Sequence, residues 1–200
     1  VVAGFTHVRR SPELQRQVTI AAIVIGISGL GVAAQYSLVQ ALREPPSFLG
    51  VLSAALGAGS IVSSLTSAPL LRRVGESWLA VIGSVDFAVR NLLRATGSMP
   101  AVVAGSLLLG FALPWVFLAV INLAQRTTPN ELKGRVSAMI LLAIFGPQAS
   151  LQALGSLAIE HVSYQTIYIG SAARTLAAAA ADLPRLIRQA LGAERAVLDC

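Results

Sequence analysis

Charge is what this sequence has least of. Only 12% of its 200 residues are Asp, Glu, Lys or Arg, about half the share of an ordinary water-soluble domain. So little charge excludes a chain that solvates its own surface in the usual way. Cysteine is nearly absent too. Cys200 is the single one and the last residue, so there is no internal disulfide framework, no CxxC pair and no Cys/His zinc spacing. His7 and His161 stand outside any Asp, Glu or Cys cluster, which argues against a metal centre. The many serines have no histidine partner close in sequence, so a hydrolase triad gains no support. There is no short apolar segment with a cleavage site at the start, and no initial Met. We therefore expect no signal peptide and a piece of a longer protein.

Apolar residues fill the space that charge leaves. They make up 55% of the chain, and the mean hydropathy is +0.73. A helix needs roughly 20 apolar residues to cross the hydrocarbon core of a bilayer. Stretches of that length or more, free of charge, run over 17–42, 45–71, 95–125 and 136–159. We expect an all-α membrane protein with six transmembrane helices at about 17–42, 47–71, 77–97, 100–125, 136–159 and 162–181. A polar lead-in, 1–16, and a basic tail, 182–200, flank them. Ser11, Pro12 and Glu13 read as a helix start, with Pro at the first helical position. Pro45 and Pro46 break the chain after the first span. Pro114 marks a kink in the fourth span, and Gly146-Pro147 interrupts the fifth.

The net charge of +6 belongs to the connections between spans. Six spans place both termini on one face. That face collects Arg9, Arg10, Arg16, Arg72, Arg73, Arg126, Lys133, Arg135, Arg185, Arg188 and Arg195, against Arg43 and Arg94 on the other. The positive-inside rule then makes both termini cytoplasmic. Topology explains the basic balance without nucleic acid. The tail arginines suit contact with anionic headgroups. The second span is rich in small residues, with Ser53 and Gly57, and Ala55 and Gly59, four apart, a spacing that lets helix backbones approach closely in lipid.

Between the fourth and fifth spans lies "RTTPNELKGRVSA", Arg126 to Ala138. Thr128-Pro129-Asn130-Glu131 fits a capping box, with Thr128 as cap and Glu131 reaching back. Gly134 is placed to end or bend the short helix so formed. This stretch resembles the loop between the tenth and eleventh helices of major facilitator superfamily transporters, closest to the drug and siderophore exporter branch. The matching residues are Gln125, Pro129, Glu131, Lys133, Gly134 and Arg135. "AGFTHVRRSPEL" resembles the lead-in to that family's seventh helix, and "LGAGSIVSSLTSAPLLRRVGES" its eighth helix and following loop. In that loop Arg73 and Gly75 match the superfamily signature, while Arg72 stands where its acid is expected. "FGPQASLQALG" in the fifth span is partly similar to the Gly-Pro motif of antiporters.

The resemblance implies the carboxy-terminal half of a twelve-helix transporter, working by alternating access in the inner membrane of a bacterium. The implied partners are the lipid bilayer, the amino-terminal half, a small amphiphilic substrate and a proton. No cofactor and no nucleic acid are implied. Sites in such folds lie near the bilayer midplane, and the first, fourth and fifth spans line the cavity in this family. That makes Gln35 and Tyr36, Trp115 and Asn122, and Gln148 and Gln152 candidates to contact substrate, against the plainer reading of packing and helix–helix hydrogen bonding. The loop residues Arg73, Gly75, Pro129, Glu131, Gly134 and Arg135 are candidates for the cytoplasmic motif. Asp86 lies near the middle of its span and is a candidate for proton coupling. Arg90, four residues on, offers it an internal ion pair. A permease subunit served by a separate ATPase and a polytopic membrane enzyme are the alternatives. The second should show an intramembrane constellation of His, Asp or Ser, and none is evident.

Overall fold

The structure is a computed structural model. It describes the backbone of residues 8–9, 11–159 and 161–198, and side chains of these as far as 181, with that of Pro184. His7, Cys200 and the side chains of Arg10, Arg185, Arg188 and Arg195 lie outside the described residues. The described chain forms five α-helices and one 3-10 turn, with no strand among the described residues: α1 (Pro12–Ala41), α2 (Phe48–Ala95), α3 (Met99–Thr127), a 3-10 turn (Asn130–Leu132), α4 (Lys133–Ala158) and α5 (Tyr164–Leu198). Among the described residues, α1, α2, α3 and the stretch Asn130–Ala158 are long and apolar enough to cross a bilayer.

Helix α1 starts where the sequence directs. Ser11 is extended and Pro12 takes the first helical position, although the Ser11 side chain makes no capping hydrogen bond. It ends in a left-handed residue, Arg43, at φ 58°. The Glu44 amide donates to Val39 O at 3.2 Å and the Arg43 amide to Gln40 O at 3.0 Å. That pair of bonds closes the helix in a Schellman-type turn, where glycine is the usual residue.

The spans expected at 47–71 and 77–97 fall on one hydrogen-bonded helix, α2. It is broken at Gly75, whose φ of 78° and ψ of 170° are not helical. Contacts with α3 show that the chain reverses there. In the first arm, Gly59 meets Leu107 and Gly110, and Ser63 Oγ donates to Phe111 O at 3.3 Å. Leu70 lies beside Trp115, so both numbers rise together. In the second arm the order inverts: Leu79 and Ala80 pack on Ala119, Gly83 on Ala112 and Val116, and Arg94 bonds Ser106. The first arm is thus parallel to α3 and the second antiparallel. The small residues of the first arm divide between two faces. Gly59 and Ser63 are buried against α3 and Ser67 is buried as well, while Gly50, Ser53 and Ser64 are exposed and Gly57 is half-buried.

Helices α1 and α4 run parallel and touch through glycine. A Cβ on Gly26 would lie 3.3 Å from Pro147 Cβ, one on Gly29 3.0 Å from the Gln152 amide nitrogen, and one on Gly155 2.9 Å from Ala33 Cβ. Pro147 does not interrupt α4, which is continuous from Lys133 to Ala158, and α3 likewise continues through Pro114. The largest core joins Val24 and Ile25 of α1, Phe87 of the second α2 arm, Val116 and Val120 of α3, and Ile140 and Ile144 of α4.

Candidate functional site

A cavity of about 300 Å³ opens where α1, the first arm of α2, α3 and α4 meet. Ile25, Leu56, Leu113, Pro114, Phe117 and Phe145 supply apolar and aromatic wall. The Phe117 and Phe145 rings stand 6.0 Å apart and tilted. Ser60 and Gln148 supply the polar atoms. Gln148 Nε2 donates to Ser28 Oγ at 3.2 Å. Ser28 in turn donates to Ile25 O at 2.6 Å, so its lone pair is held ready for the glutamine. This bond orients the Gln148 amide and leaves its carbonyl oxygen free of any hydrogen bond among the described residues. An apolar wall with few fixed polar groups is the usual form of a small-molecule site.

The other sequence candidates do not converge on this cavity. Trp115 lies in a separate, more open recess of about 400 Å³ with Phe111, Thr66, Pro69, Leu70 and Arg73. Its indole nitrogen is buried without an acceptor. Asn122 donates to Leu118 O of its own helix at 3.0 Å, the plainer of the two readings for that residue. Tyr36 is 53% exposed, Gln152 is exposed and Gln35 half-buried. Sequence reasoning missed Leu113 and Phe117, which sit four residues apart on α3, and took Pro114 only as a kink; apolar residues in an apolar helix give no signal that would have found them.

The residues expected to form the loop motif divide. The expected capping box does not form. Thr128 Oγ1 is buried with no partner, and Pro129 precedes a 3-10 turn that has no side-chain cap. Pro129 is not helical, with ψ 145°, and is itself the residue that precedes the turn, so Thr128 lies one position too early to cap it. Gly134 does not end that turn either; it sits in the first turn of α4. A charge pair does exist at this face. Arg126 Nη1 meets Glu76 Oε1 at 2.5 Å, so the acid lost at Arg72 has a counterpart four residues later. Beside it, Gln17 Nε2 donates to Ser77 Oγ at 3.0 Å. The segment just after Gly75 is therefore tied to both α3 and α1.

Asp86 does not pair with Arg90. Its Oδ2 is buried with no hydrogen-bond partner, and no ion pair joins it among the described residues. Arg90 instead donates from Nη2 to Asn91 Oδ1 at 3.1 Å and lies over the Phe87 ring, 4.7 Å from its centroid. Arg90 is fully buried, whereas Asp86 is half-buried. No group of three or more potential metal ligands occurs among the described residues.

Comparison with known proteins agrees with this architecture. A family model described as a transmembrane secretion effector, of the major facilitator superfamily, matches residues 1–195. No curated protein and no solved structure matches the chain. With nearly the whole chain covered by that model and four of its helices apolar and long enough to cross a bilayer, the chain belongs to the transmembrane secretion effector family and is an integral membrane protein of the major facilitator superfamily of transporters.

Proposed function

We propose that the chain is the carboxy-terminal half of a twelve-helix exporter that moves a small amphiphilic molecule by proton-driven alternating access. In this reading the two arms of α2 are separate spans, and the first part of α5 is the sixth. Both termini and the Arg126–Ala138 loop face the cytoplasm of a bacterium. The exposed small-residue face of the first α2 arm, Gly50, Ser53 and Ser64, receives the amino-terminal half, because small residues permit the close backbone approach such packing needs.

The observation that carries the reading is the cavity with its single oriented amide. Its walls suit an apolar body, and Gln148 offers one carbonyl acceptor and so favours a substrate with one donor. Efflux from cells or proteoliposomes carrying the full transporter tests it. Gln148→Ala is expected to raise the KM about tenfold, the worth of one hydrogen bond to a buried partner, with insertion unchanged. Ser28→Ala, which frees the amide without removing it, is expected to have the smaller effect. Equal KM values for Gln148→Ala and wild type would remove the cavity from the transport path.

Asp86 is the proton carrier in this proposal. An intramembrane carboxylate without a partner is costly when ionised, and protonation removes that cost. Asp86→Asn is expected to abolish uphill, protonophore-sensitive efflux and to spare downhill exchange. Uphill efflux at the wild-type rate would exclude this role.

A further inference from the structure

The open recess beside Trp115 shares no lining residue with the Gln148 cavity. Thr66, Pro69, Leu70 and Arg73 of the first α2 arm form one side of it, Phe111 and Trp115 of α3 the other, around about 400 Å³. Among the described residues, none of α1, α4 or α5 borders it.

Its polarity runs along the helix. Thr66 and Arg73 stand about two turns, ~10 Å, apart on the α2 arm. At the Thr66 end the hydroxyl is spent on its own helix, donating to Val62 O at 2.9 Å. The Phe111 and Trp115 rings, 5.6 Å apart and tilted, form the wall. The indole nitrogen is buried, so the wall presents carbon to the recess. At the other end Arg73 is exposed, and its guanidinium forms no ion pair or hydrogen bond among the described residues. Glu76, the nearest acid in sequence, is taken by Arg126. The recess is thus apolar along its length and cationic where it meets the Gly75 reversal.

Helical phase decides what faces it. At 3.6 residues per turn, Thr66, Pro69 and Arg73 lie roughly half a turn round from Gly50, Ser53 and Ser64, the face assigned to the amino-terminal half. The recess is therefore left to lipid.

We propose that the recess holds one anionic glycerophospholipid of the cytoplasmic leaflet, with its phosphate on Arg73 and an acyl chain along Phe111 and Trp115. A lipid of that leaflet has its head at the reversal and its tail toward the bilayer centre, the same order as Arg73 and Thr66. The arginine fork matches a phosphate group. A zwitterionic lipid carries its own ammonium beside the phosphate, so an unpaired guanidinium favours the anionic class. The choice of leaflet rests on the proposed topology; the lipid site itself does not.

The test uses the full transporter in nanodiscs of phosphatidylglycerol and phosphatidylcholine, with one of the two brominated on its acyl chains. Bromine quenches tryptophan fluorescence on contact, and the Trp115 contribution is the part that Trp115→Phe removes. That part is expected to report phosphatidylglycerol bound about fivefold over phosphatidylcholine, the worth of one arginine at a membrane surface. Arg73→Gln is expected to remove the preference. Arg72→Gln, which deletes the neighbouring charge outside the recess, is expected to keep it. Three results would overturn the proposal. One is equal binding of the two lipids by the wild type. Another is an equal loss in both variants, which would mean surface charge without a site. The third is no quenching of the Trp115 part by either lipid, which would mean that the amino-terminal half or the cargo fills the recess. Both leaflets of the disc carry the same lipids, so these results do not depend on orientation. Orientation is read separately in cells, by labelling Arg73→Cys in a Cys200→Ser background with an impermeant thiol reagent. Labelling is expected from the cytoplasmic side alone. Labelling from outside would overturn the topology and move the lipid to the outer leaflet.

Discussion

The crossing of the first α2 arm with α3 is backbone against backbone, and Gly110→Ala is the perturbation that measures it. A Cβ on Gly110 would press on the Leu56 carbonyl oxygen and lie 2.6 Å from Ser60 N and 2.8 Å from Gly59 C. None of these atoms ends a flexible side chain, so the methyl is accommodated only if the helices separate. Overpacking of this kind costs about 1–3 kcal/mol, and ~2 kcal/mol is about a 30-fold change in the folding equilibrium. Unfolding in mixed micelles, titrated with SDS and followed by tryptophan fluorescence, reads that change. Gly170→Ala, within α5, is the internal control, because its Cβ would meet nothing within 4 Å. It is expected to be neutral or to stabilise by up to ~1 kcal/mol through helix propensity. Gly59 faces the same crossing, where an added Cβ would lie 3.2 Å from Gly110 Cα. One separation relieves both methyls, so the double substitution is expected to cost less than the sum of the singles. A Gly110→Ala protein within about 0.5 kcal/mol of wild type, or strict additivity with Gly59→Ala, would refute the close-crossing argument.

Gly75→Ala tests conformation instead of space. Nothing lies within 4 Å of its Cβ position, but φ +78° with ψ 170° is a region only glycine visits freely, so a loss of ~1–3 kcal/mol is expected in the same titration. Retention of wild-type stability would mean that the reversal tolerates other torsions. Arg43→Gly runs the other way. The exposed residue holds φ 58°, a left-handed position that costs an L-residue roughly 1–2 kcal/mol, so glycine is expected to raise stability by about 1 kcal/mol. A destabilised Arg43→Gly protein would show that the side chain contributes more than its backbone strain costs.

The helices were legible because a bilayer imposes a length and a polarity that composition records directly. The Gly75 reversal was legible as a boundary, since Arg72, Arg73 and Glu76 interrupt the apolar run. Its sharpness was not, because a single torsion pair replaces the loop of several residues that the charges suggested. The candidate cavity was legible in part. Gln148 was found by being an amide inside a span. Phe117 and Leu113 were not, because apolar residues in an apolar helix carry no contrast. The inward turn of Arg90 and Arg94 was equally hidden. Spacing alone offered Asp86 as a partner four residues away, and only the packing of Phe87, Asn91 and Tyr168 decides where a long side chain goes.

Both arms of α2 grip α3, one through Gly59 and Gly110, the other through Gly83 and Val116, and the Glu76–Arg126 pair pins their shared corner. Three rods joined in this way form a truss: none can tilt without carrying the other two. Helices α1 and α4 form a second rigid unit, locked along Gly26, Gly29 and Gly155. The seam between the two units runs through the cavity, with Leu56, Leu113 and Phe117 on one side and Ile25, Phe145 and Gln148 on the other. A shear of one unit along the other therefore changes the shape of the cavity without unpacking either, and the Phe117–Phe145 contact is the place where such a slip registers first.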